Sequence, residues 1–260
     1  QTYYIHEPRG IDARGAVTAC ASRPIPLSLE GVVHAMKISP DAARARALYR
    51  AVRKSALYDR ALGMYKVNAP LDKESLEIGR SRAFTPGWLE NESVWLHMEY
   101  KYLLEVLRRG LYDEFFADMK TALIPFQDPA RYGRSILENS SFITPSCYFD
   151  RTRVGAGYYA RLSGATVEFL HMLQVMNLGL SPFRMKHGKL VFSPSPVLQK
   201  SFFSRAARQI TFRFAGGERH VTLPPCSYGF SLFGRTLVVY ENPGMKNTFG
   251  PGAVKPVRYA

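Results

Sequence analysis

The sequence predicts a mainly α-helical chain with a β-rich C-terminal part. Three observations carry that prediction. Apolar residues recur at helical spacing in successive segments up to about residue 178; the texture then changes after Pro182 to short alternating runs divided by Gly-Gly, Pro-Pro and Phe-Gly-Arg turns; and Leu89-Glu90-Asn91-Glu92-Ser93 is echoed by Leu137-Glu138-Asn139-Ser140-Ser141. Read as helix caps, the two echoes are local hydrogen bonding by Asn and Ser. Read together, they describe helix pairs that present polar residues at one end, as an α/α barrel does.

In chain order, residues 1–24 are expected to be irregular. A first helix over 25–36 rests on Leu27, Leu29, Val32, Val33 and Met36. Ser39 as N-cap and Pro40 at the first helical position signal the second, which places Ala43, Ala47, Leu48, Val52 and Ala56 on one side and Arg44, Arg46, Arg50 and Arg53 on the other. A polar loop follows over 68–86. A helix over 93–108, stopped by Gly110, and another over 112–123 form a tight helical hairpin. A second loop passes through Tyr132-Gly133-Arg134-Ser135, and a long helix is expected over 158–178. Runs at 190–192, 210–214, 220–223, 228–232 and 236–240 predict a small antiparallel sheet or sandwich. The domain organisation expected is 25–182 helical, 183–245 β-rich and 246–260 an irregular tail.

Composition bounds the function. With 260 residues, 46% hydrophobic and 13% aromatic, the chain has material for a sizeable core. A net charge of +14 brings nucleic acid, membrane surfaces and anionic substrates into consideration. The cations are scattered along the chain, however, with the Arg44 to Arg53 helix as the one candidate stripe, so no nucleic-acid partner is expected. Cys20, Cys147 and Cys226 form no CxxC pair and lack ligand-spaced His, which argues against a disulfide framework and a metal site. Neither a membrane-length apolar run nor a signal peptide is read, and the expected setting is soluble and cytoplasmic. A start at Gln1 without Met suggests a segment of a longer polypeptide. No GxGxxG or GxxxxGK[ST] occurs, so no nucleotide cofactor is expected.

The run from Phe84 to His97, FTPGWLENESVWLH, resembles the PG…EN…H signature of the cellobiose and chitobiose phosphorylase family, glycoside hydrolase family 94. Arg161-Leu162-Ser163-Gly164-Ala165 resembles that family's Thr-Gly segment, and the longer strings TPGWLENESVWLHMEYKYLLE and YGRSILENSSFI are most similar to its 1,2-β-oligoglucan phosphorylase branch. The resemblance covers about residues 23–240 and is weakest in the C-terminal strands. It implies the C-terminal half of an (α/α)6 barrel followed by a β-domain. It also implies phosphorolysis with inversion: inorganic phosphate, as co-substrate, attacks the anomeric carbon of a β-linked glucooligosaccharide while a carboxylic acid protonates the leaving oxygen, giving α-glucose 1-phosphate. One carboxyl group suffices because phosphate is already a nucleophile.

Residue by residue, the resemblance assigns His97, Ser163 and Gly164 to phosphate, and a hydroxyl, a helix-start N–H and an imidazole are suited to donate to a dianion. By periodicity alone His97 is a core histidine, and Ser163 with Gly164 a small packing pair. Glu90 and Asn91 match the Glu-Asn pair beside the sugar, with capping as the alternative. Trp88 is either a sugar-stacking platform or a core cover. Glu138 begins the later sugar-binding loop, and Arg134 is either an anion clamp or a solvated loop residue. Leu89 departs from the Lys found there in many members. No general acid is found: Asp12, Asp41, Asp59 and Asp72 lack the Asp-Trp-Asn-Asp context, which puts the acid upstream of this chain. The alternative is a non-catalytic carbohydrate-binding remnant.

Overall fold

Residues 4–24, part of the segment 1–24 expected to be irregular, form a β-hairpin. A computed structural model describes residues 4–39, 41–159 and 163–257, the Ser163 side chain excepted. In it β1 (Tyr4–Ile11) pairs antiparallel with β2 (Val17–Pro24), Tyr4 opposite Pro24 and Ile11 opposite Val17. Asp12 closes the turn, its Oδ1 accepting from the N–H groups of Arg14 and Ala16, each at 2.9 Å. Most positions on both faces are exposed. The apolar alternation that marks a half-buried strand is therefore absent from the sequence.

The chain divides into two units, Gln1–Leu170 and His171–Ala260. In the first, α1 (Leu29–Ile38) buries Leu29, Val33 and Met36. Ser39, expected to start the next helix, ends this one by donating its N–H to Met36 O. Asp41 caps α2 (Ala42–Lys54), its carboxylate accepting from the Ala43 and Arg44 N–H groups, and Pro40 lies outside the described residues. The acid both satisfies two free donors and faces the positive end of the helix dipole. A short pair follows, β3 (Tyr58–Asp59) with β4 (Met64–Tyr65), and the polar loop contains two 3₁₀ turns, Leu76–Ile78 and Arg80–Ala83. Then come β5 (Val94–Trp95), α3 (Leu96–Arg108), α4 (Tyr112–Ala122), the single turn α5 (Pro129–Tyr132), β6 (Phe142–Ile143), β7 (Gly157–Tyr158) and α6 (Ser163–Leu178). The boundary between the units falls inside α6.

The predicted half of an (α/α)6 barrel is not what the chain forms. The described residues hold six α-helices, one of them a single turn, interrupted by small antiparallel sheets, and the architecture is mixed α/β. Helical periodicity is a local property and does not fix how helices are arranged. Where the sequence predicts α3 to begin, at residue 93, Val94 and Trp95 pair instead with Ile143 and Phe142 as strand. Branched and aromatic side chains at these positions suit a pleated, buried surface, and tertiary pairing overrides the helical pattern.

The core of the first unit is α3, packed by α1 on one side and α4 on another and buried almost all round. It encloses charged groups. Glu99 is fully buried; its Oε1 accepts from the Tyr65 N–H at 2.8 Å, and its Oε2 has no hydrogen-bond partner. Burial, with a smaller push from Asp118, holds its carboxyl well above the ordinary value of 4.5. The folded chain thus keeps a proton that the unfolded chain releases, so stability falls as pH rises between the unfolded and folded pKa values. Glu99→Gln, which needs no proton, is expected to flatten that decline. Urea midpoints at acidic and alkaline pH measure it, and an unchanged slope would assign the proton elsewhere.

In the second unit the expected sheet or sandwich consists of three separate two-stranded pairs. These are β8 (Phe183–Lys186) with β9 (Lys189–Phe192), β10 (Arg208–Phe214) with β11 (Gly217–Leu223), and β12 (Ser227–Leu232) with β13 (Thr236–Glu241). The tyrosines of the last pair anchor it to the end of α6: Tyr228 donates its O–H to Asn177 Oδ1 and Tyr240 to Asn177 O, both at 2.7 Å. Residues 246–257 contain no helix or strand.

Candidate functional site

A three-stranded sheet brings two helix starts together. β5 and β7 each pair antiparallel with the central β6, so they run parallel to one another. β5 leads directly into α3, and β7 ends shortly before Ser163 opens α6. The N-terminal turns of α3 and α6 therefore lie toward the same end of the sheet, where the positive ends of both dipoles favour an anion, although the first N–H of α3, that of Leu96, is donated to Ser141 O at 3.1 Å. His97 is the second residue of α3, and Gly164 the second of α6.

The two residues touch. A Cβ placed on Gly164 would lie 2.5 Å from Cε1 and Nδ1 of His97 and 2.8 Å from its Cγ, so the ring rests where any larger residue would put its side chain. His97 Nε2 approaches Glu168 Oε1 at 3.8 Å. Desolvation lowers the His97 pKa first and the Lys101 charge lowers it further, against upward pulls from Glu168 and Glu30. Near neutral pH the ring is therefore uncharged, with one N–H to donate. Lys101, one turn further along α3, reaches Glu30 on α1 at 3.9 Å. The Ser163 side chain lies outside the described atoms, so the expectation for its hydroxyl is not placed; its backbone opens α6. Lys101 and Glu168 escaped the sequence reading. Each stands four residues beyond a motif residue, on the same helix face, and that spacing was the available signal.

The loop before β5 is tightly braced. Asn91 is buried; its Nδ2 donates to Phe84 O at 2.7 Å, its carbonyl accepts from Gly87 N–H at 2.7 Å, and its Oδ1 has no partner. Asn68 clamps the loop from outside, donating to Glu90 O and accepting from the Glu92 N–H, both at 2.7 Å. Leu89 and Glu92, with φ of 49° and 58°, are left-handed residues without glycine's freedom, and they bracket Glu90-Asn91. Gly87, φ 87°, has no room for a side chain, since a Cβ there would lie 3.0 Å from Tyr148 Cβ and 3.1 Å from Pro145 Cδ. The Glu90 side chain pairs with Arg80, and the Glu92 carboxylate with buried Lys66 at 2.5 Å. Neither copy of the echo caps a helix: Trp95 is the N-cap of α3, and the second copy runs into β6.

Trp88 stands among aromatic rings. Its centroid lies 4.6 Å from Tyr158 and 5.0 Å from Phe142, both edge-on, and 5.8 Å from the stacked ring of Tyr148. Tyr159 and Phe149 extend this cluster and are exposed. Glu138 faces Arg134 at 3.8 Å, so each of these two candidates has the other as its partner. Asn139, not singled out in the sequence, ties this loop to both helices: it accepts from the Tyr100 O–H at 3.1 Å and donates to Thr166 Oγ1 at 3.4 Å. A cleft of about 400 Å³ lies along α1, lined by Ile25, Leu27, Glu30 and His34 among others. Glu30, through Lys101, links it to His97.

Of the four aspartates considered for the acid role, three have structurally engaged carboxyl groups, and Asp72 accepts from Arg82 Nη2 at 2.7 Å through its backbone carbonyl. Asp12 closes the first hairpin, Asp41 caps α2, and Asp59 accepts from the N–H groups of Ala61, Leu62 and Ser146. Among the described residues no group of three or more His, Cys, Asp or Glu is placed to hold a metal ion, and no helix is long and apolar enough to cross a membrane. The chain matches no family model, and comparison with curated proteins gives no match.

Proposed function

We propose that the meeting point of α3 and α6 is the phosphate site of an inverting glycoside phosphorylase resembling glycoside hydrolase family 94, acting on β-linked, preferentially β-1,2, glucooligosaccharides in the cytoplasm. The observation that carries the proposal is the His97 ring lying on Gly164 at the start of a long helix. In this reading the imidazole and the Gly164 N–H donate to the phosphate, with Ser163 completing the set. Trp88 and Glu90 face the sugar, buried Asn91 bracing the loop that carries them, and Glu138 contributes from the second loop. Phosphate then attacks the anomeric carbon as the glycosidic C–O bond breaks and the leaving oxygen takes a proton from the general acid, giving α-glucose 1-phosphate and the shortened oligosaccharide. The general acid belongs to an aspartate outside this sequence.

Inorganic phosphate is expected to raise the thermal midpoint of this chain, by an amount set by its concentration over Kd. His97→Ala removes a donor to a charged ligand, which is worth about 1.5–3 kcal/mol, so phosphate binding should weaken roughly 10- to 150-fold. Equal phosphate stabilisation in wild type and variant would remove His97 from the site. Release of α-glucose 1-phosphate, assayed with the acid-bearing segment restored, tests the reaction itself.

A second reading rests on the aromatic cluster around Trp88, where exposed Tyr159 and Phe149 offer ring faces to a sugar. A carbohydrate-binding chain without turnover would be stabilised by glucooligosaccharide whether or not phosphate is present.

A further inference from the structure

The charge excess has a location. Unit His171–Ala260 contains twelve Lys and Arg against two Glu, a net +10, whereas Gln1–Leu170 contains 23 against 19. No acid occurs between Glu168 and Glu218, and Glu218 is itself paired with Arg213 at 3.2 Å. In the first unit the basic helix α2 is partly neutralised instead, Arg46 by Glu114 and Arg53 by Asp118.

The same cationic unit bears an uncovered apolar face. In the β8–β9 hairpin Phe183 stands opposite Phe192 and Met185 opposite Leu190. Strand alternation puts these four side chains on one face and Arg184, half-buried Val191, Lys186 and Lys189 on the other. Met185 and Leu190, the pair nearer the turn, are 66% and 68% exposed. Phe233, 75% exposed, stacks on Phe183 with centroids 6.3 Å apart and extends the patch to the β12–β13 turn. That turn is held to the β10–β11 turn by a hydrogen bond from Ala215 N–H to Gly234 O at 3.1 Å. A bare two-stranded hairpin is marginally stable in water. A contiguous row of large exposed apolar groups marks a contact surface.

We infer that this face docks peripherally on an anionic lipid surface. Charge complementarity requires an acidic occupant, and a second copy of a +10 unit would repel the first. The cations are dispersed: Arg184, Lys186 and Lys189 on one hairpin, Arg208, Arg213 and Arg219 on the next, Arg235 by the third. That distribution suits the smeared potential of a membrane rather than the point-by-point pairing of a protein interface. Single-stranded nucleic acid stacks on aromatic faces but gains nothing from Met185 and Leu190, the most outlying apolar pair of the hairpin. A bilayer interface takes both aliphatic and aromatic groups, with Lys and Arg reaching the headgroups along their stems.

The test is sedimentation of the chain with phosphatidylcholine vesicles, with and without about 30% phosphatidylglycerol. The chain should pellet with the anionic vesicles, stay free with the neutral ones, and be released by about 1 M salt, where the Debye length falls to about 3 Å. Met185→Asp with Leu190→Asp should lower partitioning at least about tenfold through lost apolar burial and added repulsion. Lys186→Ala with Lys189→Ala should lower it about fivefold per cation. All four side chains are exposed, and an unchanged thermal midpoint shows that the variants are folded. Absence of pelleting with anionic vesicles, or pelleting that survives the double Asp variant, overturns the inference. So does saturable binding of labelled oligothymidylate that the same variants abolish, which would give the patch to nucleic acid.

Discussion

Gly164→Ala is expected to abolish the phosphate response while leaving the chain folded. The new Cβ would sit 2.5 Å from two atoms of the His97 ring, against the roughly 3.5–4.0 Å at which carbon atoms pack. The imidazole is half-buried and must swing away, taking its donor from the site. A merely structural substitution at this position behaves differently. Ala is favoured over Gly within a helix by about 1 kcal/mol, so the variant's unliganded thermal midpoint should hold or rise slightly. Loss of the phosphate shift alongside an undiminished midpoint separates the two effects, and a variant that responds to phosphate like the wild type would remove the proposed site.

Asp118→Ala should markedly lower the stability of the first unit. Asp118 is 2% exposed; its Oδ1 accepts from Arg53 Nη1 at 2.9 Å and its Oδ2 from the Tyr65 O–H at 2.5 Å. Tyr65 is locked between Tyr58 and Tyr102, with centroids at 5.1 and 4.6 Å, and Arg53 lies 4.0 Å from the Tyr58 ring centre. Removing the carboxylate takes away the acceptor of the buried Tyr65 hydroxyl. Arg53, more than a third exposed, can return to water. The cost is therefore about 3 kcal/mol, at the lower end for a broken buried pair, and lowers the midpoint by roughly 6–12 °C. Asp118→Asn keeps an acceptor and should cost less; equal losses in thermal unfolding followed by circular dichroism would point to packing instead of the hydrogen bond. Burial holds the Asp118 carboxyl above its ordinary value, so its ionisation, like that of Glu99, makes folding less favourable as pH rises.

Neither member of that network was singled out in the sequence, although a signal was present. Glu99 lies three residues after Leu96 and four before Leu103, and Asp118 lies three after Phe115 and four before Ala122. Both acids occupy apolar helical positions, and an acid at such a position announces a buried, partnered charge. The site shows the opposite case. His97 and Gly164 stand 67 residues apart in the chain, each with an ordinary packing explanation, and only the motif resemblance singled them out as partners. Their contact depends on β5, β6 and β7, two-residue strands too short to leave a periodic pattern.

By itself the sequence determined the local matters: the helical character of α2, α3 and α4, the turn-bounded strands after Pro182, and the +14 charge. It did not determine the face α2 buries, which is Ala45, Tyr49 and Val52, while Ala43, Ala47 and Ala56 of the expected face are exposed. The local elements follow from periodicity, capping and turn chemistry, which act over a few residues. The tertiary structure decided the rest. It made a hairpin of residues 4–24, set small antiparallel sheets where a helical half-barrel was expected, and placed His97 against Gly164. Strand pairing and burial join residues far apart in the chain, and their energies depend on the partner found rather than on the segment that finds it.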